Sequence, residues 1–200
     1  MFSVTKILKD QLFTEYRERQ ASKEGTSRRF YDSGAGLCLR KRVLQRAGKE
    51  SADPWSDDLE VMDSGNFYHL AHAARLKRAG AIAVTEEGGL LSEYALKDEH
   101  TSGRLDFLVR QGDELCLVDL KTTAQSSFEY RKREGQAQAH HVLQLTRYYL
   151  KLRNMPQPEN LQPDFGIIVY IGRYYGNKLE FPVQWTTEVI HATQLDLEAE

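Results

Sequence analysis

Apolar residues crowd two eight-residue runs, GRLDFLVR (103–110) and ELCLVDLK (114–121), and the Gly112–Asp113 pair between them is hairpin-turn chemistry. A two-residue turn sets the register by counting outward. Arg110 opposes Leu115, Leu108 opposes Leu117, and Asp106 opposes Asp119. Further apolar runs predict strands over 81–87 and 90–97, joined at Gly88 and Gly89, and over 165–175 and 178–185, with Pro182 assigning the last strand to a sheet edge. Helical spacing predicts a helix from Asn66 to a stop at Gly80, one over 134–153 that ends before a proline-rich stretch, and one over 186–200. The first thirty residues are polar and helix-compatible. Residues 32–48 read as a turn and a short helix, and 49–63 as a surface loop. This order predicts an α/β fold, a central mixed sheet flanked by helices.

The hairpin carries charges that a buried strand pair ordinarily excludes. Directly opposed residues have Cβ atoms roughly 4.5–5.5 Å apart, and like charges at that distance repel. Lys121 shares a face with Asp119, so two carboxylates and an ammonium are expected to converge at one end of the hairpin. Magnesium takes hard oxygen ligands of this kind, and a metal-bound water is a nucleophile for attack at phosphorus. A three-residue or irregular turn would instead throw Asp106 and Asp119 onto opposite faces, with Lys121 salt-bridged to one of them. Hairpin geometry alone does not choose between the two.

Composition narrows the setting. The 200 residues suit one domain, and 40% hydrophobic and 28% charged residues describe a globular chain. No apolar run is long enough to span a bilayer, and charges interrupt every apolar stretch of the N-terminus, so an intracellular, cytoplasmic protein without a membrane partner is expected. Cys38 and Cys116 are far apart and form no disulfide framework. A net charge of −2 is not that of a generally basic nucleic-acid binder, but basic residues cluster at Arg28–Arg29, at Arg40–Lys41–Arg42 and at Arg131–Lys132–Arg133, and the last two runs can hold phosphates.

Gly103-x-x-Asp106 followed by Asp119-x-Lys121-Thr122-Thr123 resembles the PD-(D/E)XK nuclease superfamily. Gly65-x-x-x-His69 and Gln144-x-x-x-Tyr148 extend the resemblance to its RecB-like branch, which includes CRISPR-associated RecB-like exonucleases. The resemblance spans about residues 33–149. It implies a restriction-endonuclease-like core occupying the chain as one nuclease domain, with 1–50 as a helical N-terminal part. It also implies Mg- or Mn-dependent cleavage of DNA, at single strands or ends, in repair, recombination or phage DNA processing. His69, Asp106, Asp119 and the Leu120 carbonyl would hold the cation, Lys121 would position water with its pKa lowered beside the metal, and Gln144 and Tyr148 would steady the substrate. Glu93 stands where the branch often has an acid. The chain departs from the pattern at Leu105, where the naming proline would stand. Cys38 resembles the first cysteine of cluster-bearing members, but the C-terminal cysteines are missing, so no iron–sulfur cluster is expected. The bland alternatives are a core histidine at 69, a polar helix stripe at Gln144 and Tyr148, a surface acid at Glu93 and solvent-facing basics. His72 lies one turn beyond His69 and flanks the site, while His100, His140, His141 and His191 read as ordinary residues. Phe128 and Tyr130 are candidates for stacking on bases. A DNA-binding protein that keeps the fold without turnover, and a hydrolase of RNA or another phosphodiester, are the rival functions.

Overall fold

The computed structural model describes residues 4–21, 30–47, 56–84, 91–155, 161–173 and 176–199. The helices are α1 (Val4–Ala21), α2 (Leu39–Arg46), α3 (Ser56–Arg78), α4 (Gln125–Glu134), α5 (Ala139–Arg153) and α6 (Thr187–Glu198). The strands are β1 (Phe30–Tyr31), β2 (Ser92–Lys97), β3 (Thr101–Gln111), β4 (Glu114–Thr123), β5 (Phe165–Gly172) and β6 (Lys178–Val183). They form one mixed sheet in the order β1-β3-β4-β5-β6, with β2 also paired to β3.

The hairpin has the register counted from its turn: Arg110 pairs with Leu115 and Leu108 with Leu117, while Gly112 takes the positive φ that such a turn needs. Pro182 lies on the edge strand β6, where its missing N–H costs the sheet nothing. Each face of the sheet builds its own core. Leu105, Leu108, Leu117, Ile168 and Tyr170 pack under Phe128 of α4 and Leu145, Tyr148 and Leu152 of α5. Phe107, Leu120, Val169 and Ile171 pack on the opposite face, against Tyr68, Ala73 and Leu76 of α3.

Three expectations change. Residues 56–63 are the first turns of α3 rather than a surface loop, because Leu59 is buried and anchors them. The strand expected over 81–87 is reduced, among its described residues, to isolated bridge positions at Ile82, opposite Val109, and Val84, and 85–90 lie outside the described residues. The helix expected over 134–153 starts at Ala139. Glu134 instead ends α4, whose stop is Gly135 in the left-handed conformation, with its N–H donating to the Arg131 carbonyl. Helix α4 escaped notice because it buries only Phe128, too little for an apolar period.

A buried ionic network ties α5 to the rest. Arg147, fully buried, donates to Asp196 of α6 at 2.5 Å and lies 4.0 Å from Asp32. Lys151 donates to Asp32 at 2.5 Å, and Arg42 to Asp196 at 3.1 Å. Truncating Arg147→Ala removes the cation that Asp32 and Asp196 share and leaves each with one cationic partner, Lys151 or Arg42, so a loss of about 3 kcal/mol is expected in urea denaturation. Gly103 sits beside this network. A Cβ there would lie 2.3 Å from Asp32 Oδ2 and 2.6 Å from Tyr148 Cε1, so Gly103→Ala is expected to lower the melting temperature by several degrees, read by circular dichroism.

Candidate active site

The β3–β4 ladder runs from Gln111–Glu114 to Phe107–Val118 and then opens. Where Asp106 would pair with Asp119, the Leu120 N–H instead donates to Asp106 Oδ2 at 2.6 Å. The two acids are therefore not cross-strand neighbours on one face, as the register alone implied. Asp119 and Lys121 share the α5 face, whereas Asp106 fills the opened gap and meets α3 from the other side.

The opening follows from a slip of side-chain alternation. Leu105 and Leu108 point to one core and Phe107 to the other, so the pattern shifts by one residue at Asp106. Strand β2 slips with it: Leu91 and Tyr94, three apart, pack on the same core. Because both strands shift together, Ser92–Phe107 and Tyr94–Leu105 keep a common register around Glu93 and Asp106. Glu93 takes φ 51°, alone in positive φ among the described non-glycine residues. A left-handed conformation costs a Cβ-bearing residue roughly 1–2 kcal/mol and persists only where the surroundings enforce it.

That strain aims Glu93 at His69. Nδ1 of His69 lies 3.6 Å from Glu93 and 3.4 Å from Asp106, and ligand atoms of all three residues fall within 4.8 Å of one another. Helix α3 brings His69 this close because Gly65, one turn earlier, leaves room beside β4: a Cβ there would meet Thr122 Oγ1 at 3.3 Å. The glycine and histidine of that motif thus have one steric reason. Hydrogen bonding to Asp106 and then Glu93 lifts the His69 pKa to about 10. Burial lowers His72, one turn on, with Lys178 and Arg75 adding to the effect.

Across the gap, Lys121 donates to Asp119 Oδ1 at 3.1 Å and to Gln144 Oε1 at 2.9 Å, and Gln144 Nε2 donates to the Tyr148 hydroxyl at 2.9 Å. The i, i+4 spacing on α5 puts Gln144 and Tyr148 on one face, so the expected polar pair becomes a relay of contacts holding the lysine. Burial pushes the Asp119 carboxyl up to about 6 against the pull of Lys121. Burial opposes the Lys121 charge too, but Asp119 and Asp106 outweigh it and raise its pKa. The lowering expected for Lys121 beside a metal is not the direction in the ion-free protein.

These residues fit a divalent cation on their own chemistry. Two acids and an imidazole converge at His69, Glu93 and Asp106, and Asp119 Oδ2, buried 2.9 Å from the lysine nitrogen, receives no aligned hydrogen bond. Glu93, the least distinctive of the sequence candidates, is in the tightest cluster. Asp119 is not one of its three residues.

The basic runs divide. Arg40 and Lys41 are exposed, but Arg42 turns inward to Asp196 and is withdrawn from solvent, which corrects its assignment to phosphate contact. On α4, Lys132 and Arg133 are exposed, and Arg131 and Arg133 lie 4.3 and 5.1 Å over the Tyr130 ring. Phe128 is buried in the core, which excludes it from stacking on a base. Arg28 and Arg29 lie outside the described residues. Among the described residues no helix is long and apolar enough to cross a membrane.

No protein-family model matches the chain, and no curated protein matches its sequence. Solved structures do match. The crystal structure of SSO0001 superposes with a TM-score of 0.59 at 18% identity, covering 96% of this chain and 85% of that one. An alkaline exonuclease (LHK-Exo) from Laribacter hongkongensis superposes at 0.52, and its complex with dAMP at 0.53, each at 11% identity over 86% of this chain and 85% of theirs. At such identities the likeness is one of fold. The chain shares with these structures the mixed sheet and flanking helices that its order of apolar runs predicted.

Proposed function

We propose that this protein is a metal-dependent deoxyribonuclease of the RecB-like branch, acting on single strands or ends of DNA. The observation that carries the proposal is the convergence of His69, Glu93 and Asp106 within 4.8 Å at an opened strand pair, beside a buried Asp119–Lys121 ion pair. A fold shared with an exonuclease, one of whose structures holds dAMP, supports the same reading. His69, Glu93, Asp106, Asp119 and the Leu120 carbonyl are the ligands proposed for Mg or Mn. Such an ion, when bound, makes a water acidic enough to attack phosphorus and offsets charge on the phosphate oxygens.

The chain's own residues do the rest. Lys121, held by Asp119 and Gln144, presents a fixed ammonium to the attacking water or the developing phosphorane charge. Gln144 fixes that ammonium, and Tyr148 fixes Gln144. Arg40, Lys41, Arg131, Lys132 and Arg133 supply phosphate contacts that position a strand without reading its sequence.

The test uses end-labelled linear DNA, circular DNA and RNA of matched sequence. Purified protein should degrade the DNA with Mg or Mn and stop with a chelator. Circular DNA that survives would assign an end requirement, and equal cleavage of RNA would widen the substrate class. DNA binding with no turnover under any of these metals would establish the rival, a binding protein that keeps the fold.

A further inference from the structure

A second cluster lies on the far side of Lys121 and plays no part in the proposed cation site. His140 and His141 open α5 with their ring centroids 4.1 Å apart. Nδ1 of His141 lies 2.6 Å from the hydroxyl of Tyr170, the strand neighbour of Lys121 in the parallel β4–β5 register. That hydroxyl accepts the Gln138 N–H at 3.0 Å and keeps its own proton to give to His141 Nδ1. In the tautomer that accepts this proton, the ring carries its hydrogen on Nε2, on the side away from Tyr170. Arg131, in the last turn of α4 with its guanidinium 4.3 Å over the Tyr130 ring, is near enough to both imidazoles for its charge to act on them. Its Nε is buried with no hydrogen-bond acceptor, and among the described residues no carboxylate pairs with it.

The charge of this cluster decides what it can hold. Adjacent histidines usually suggest a transition metal, and metals need an acid or a neutral field nearby. Here burial, then Lys121, and further Arg131 depress both imidazoles, His141 to about 3, with no acid among the influences on either ring. Neutral imidazole donors and a guanidinium without a carboxylate partner make a cluster of N–H groups in a positive field. A cation is repelled from it. A phosphodiester oxygen satisfies the donors and the charge together.

We infer that Arg131 and His140, with His141 oriented by Tyr170, form a subsite for a backbone phosphate of single-stranded DNA next to the one held by Lys121. The inference rests on the nuclease reading for the path of the strand, but its test does not need cleavage. Binding of a fluorescein-labelled single-stranded oligonucleotide is followed by anisotropy in chelator, across a salt series. Arg131→Gln should weaken binding about tenfold and reduce the magnitude of the log–log salt slope by about 0.7, the share of one phosphate contact on a single strand. His140→Leu should weaken it a few-fold with the slope unchanged, because a neutral donor displaces no counterion. Arg131→Lys should keep the wild-type slope, and Arg153→Gln, at the exposed far end of α5, should bind as wild type.

Wild-type affinity and slope in Arg131→Gln, or a loss no greater than in Arg153→Gln, would overturn the subsite. A wild-type protein that cleaves nothing in Mg or Mn, yet loses affinity through Arg131→Gln and His140→Leu as described, would leave the subsite standing and remove the nuclease. The reverse pattern would remove the subsite alone.

Discussion

Asp119→Asn and Lys121→Ala are each expected to reduce DNA cleavage by on the order of 10²–10³-fold or more, while the protein stays folded by near-ultraviolet circular dichroism. Lys121 has two fixed acceptors, Asp119 and Gln144, and no freedom to be replaced by a neighbouring cation. Removing it also leaves Asp119, 1% exposed, without its ammonium, so Lys121→Ala should be the less stable of the two. A double variant separates stability from chemistry. Asp119→Asn with Lys121→Met removes both charges, along with the cost of burying them, and is expected to unfold at equal or higher temperature than wild type in chelator while remaining inactive. Activity within tenfold of wild type in that variant would show that the ion pair is structural and that the nuclease chemistry lies elsewhere.

The second large effect is a proton released on metal binding. His69 keeps its proton in the ion-free protein up to about pH 10, through Asp106 first and Glu93 second, so a cation that takes Nδ1 must displace that proton. Manganese affinity is therefore expected to rise about tenfold per pH unit between pH 7 and 9, with about one proton released in calorimetry across buffers of different ionisation enthalpy. His69→Gln should flatten the slope and weaken binding together. The stability sign follows from the same shift. A histidine raised above its ordinary 6.5 contributes stability that is complete below that pH and is lost as pH rises through about 10. The melting temperature in chelator should thus fall between pH 7 and 10, and manganese should reverse the trend. Binding that releases no proton and ignores pH would exclude His69 from the cation shell.

Glu93 and His69 also show why the site costs the fold something. A strained backbone at Glu93, a broken strand pair at Asp106 and a glycine inside α3 at Gly65 each weaken the element that contains it. Their coincidence around His69 argues for a selected function at that spot.

The turn at Gly112 and Asp113 determines the upper hairpin by itself, because turn chemistry and side-chain alternation are local properties, and the pattern of apolar runs likewise marks β4, β5, β6, the main body of α3 and most of α5. Gly65, His69, Asp106, Asp119, Lys121, Gln144 and Tyr148 could be picked out by order along the chain. What those residues do to one another could not. The slip that opens β3 from β4, the left-handed Glu93, the inward turn of Arg42 and the Arg147–Asp32–Asp196 network arise from contacts between segments as far as 160 residues apart, such as Gly36 with Asp196. The same holds for α4 and for the His140–His141 pair near Lys121 and Arg131, since histidines that read as ordinary in sequence take their meaning from the charges around them. Local periodicity decides which stretches become strands and helices, but the electrostatics of a buried site depend on distances that only the packed fold sets.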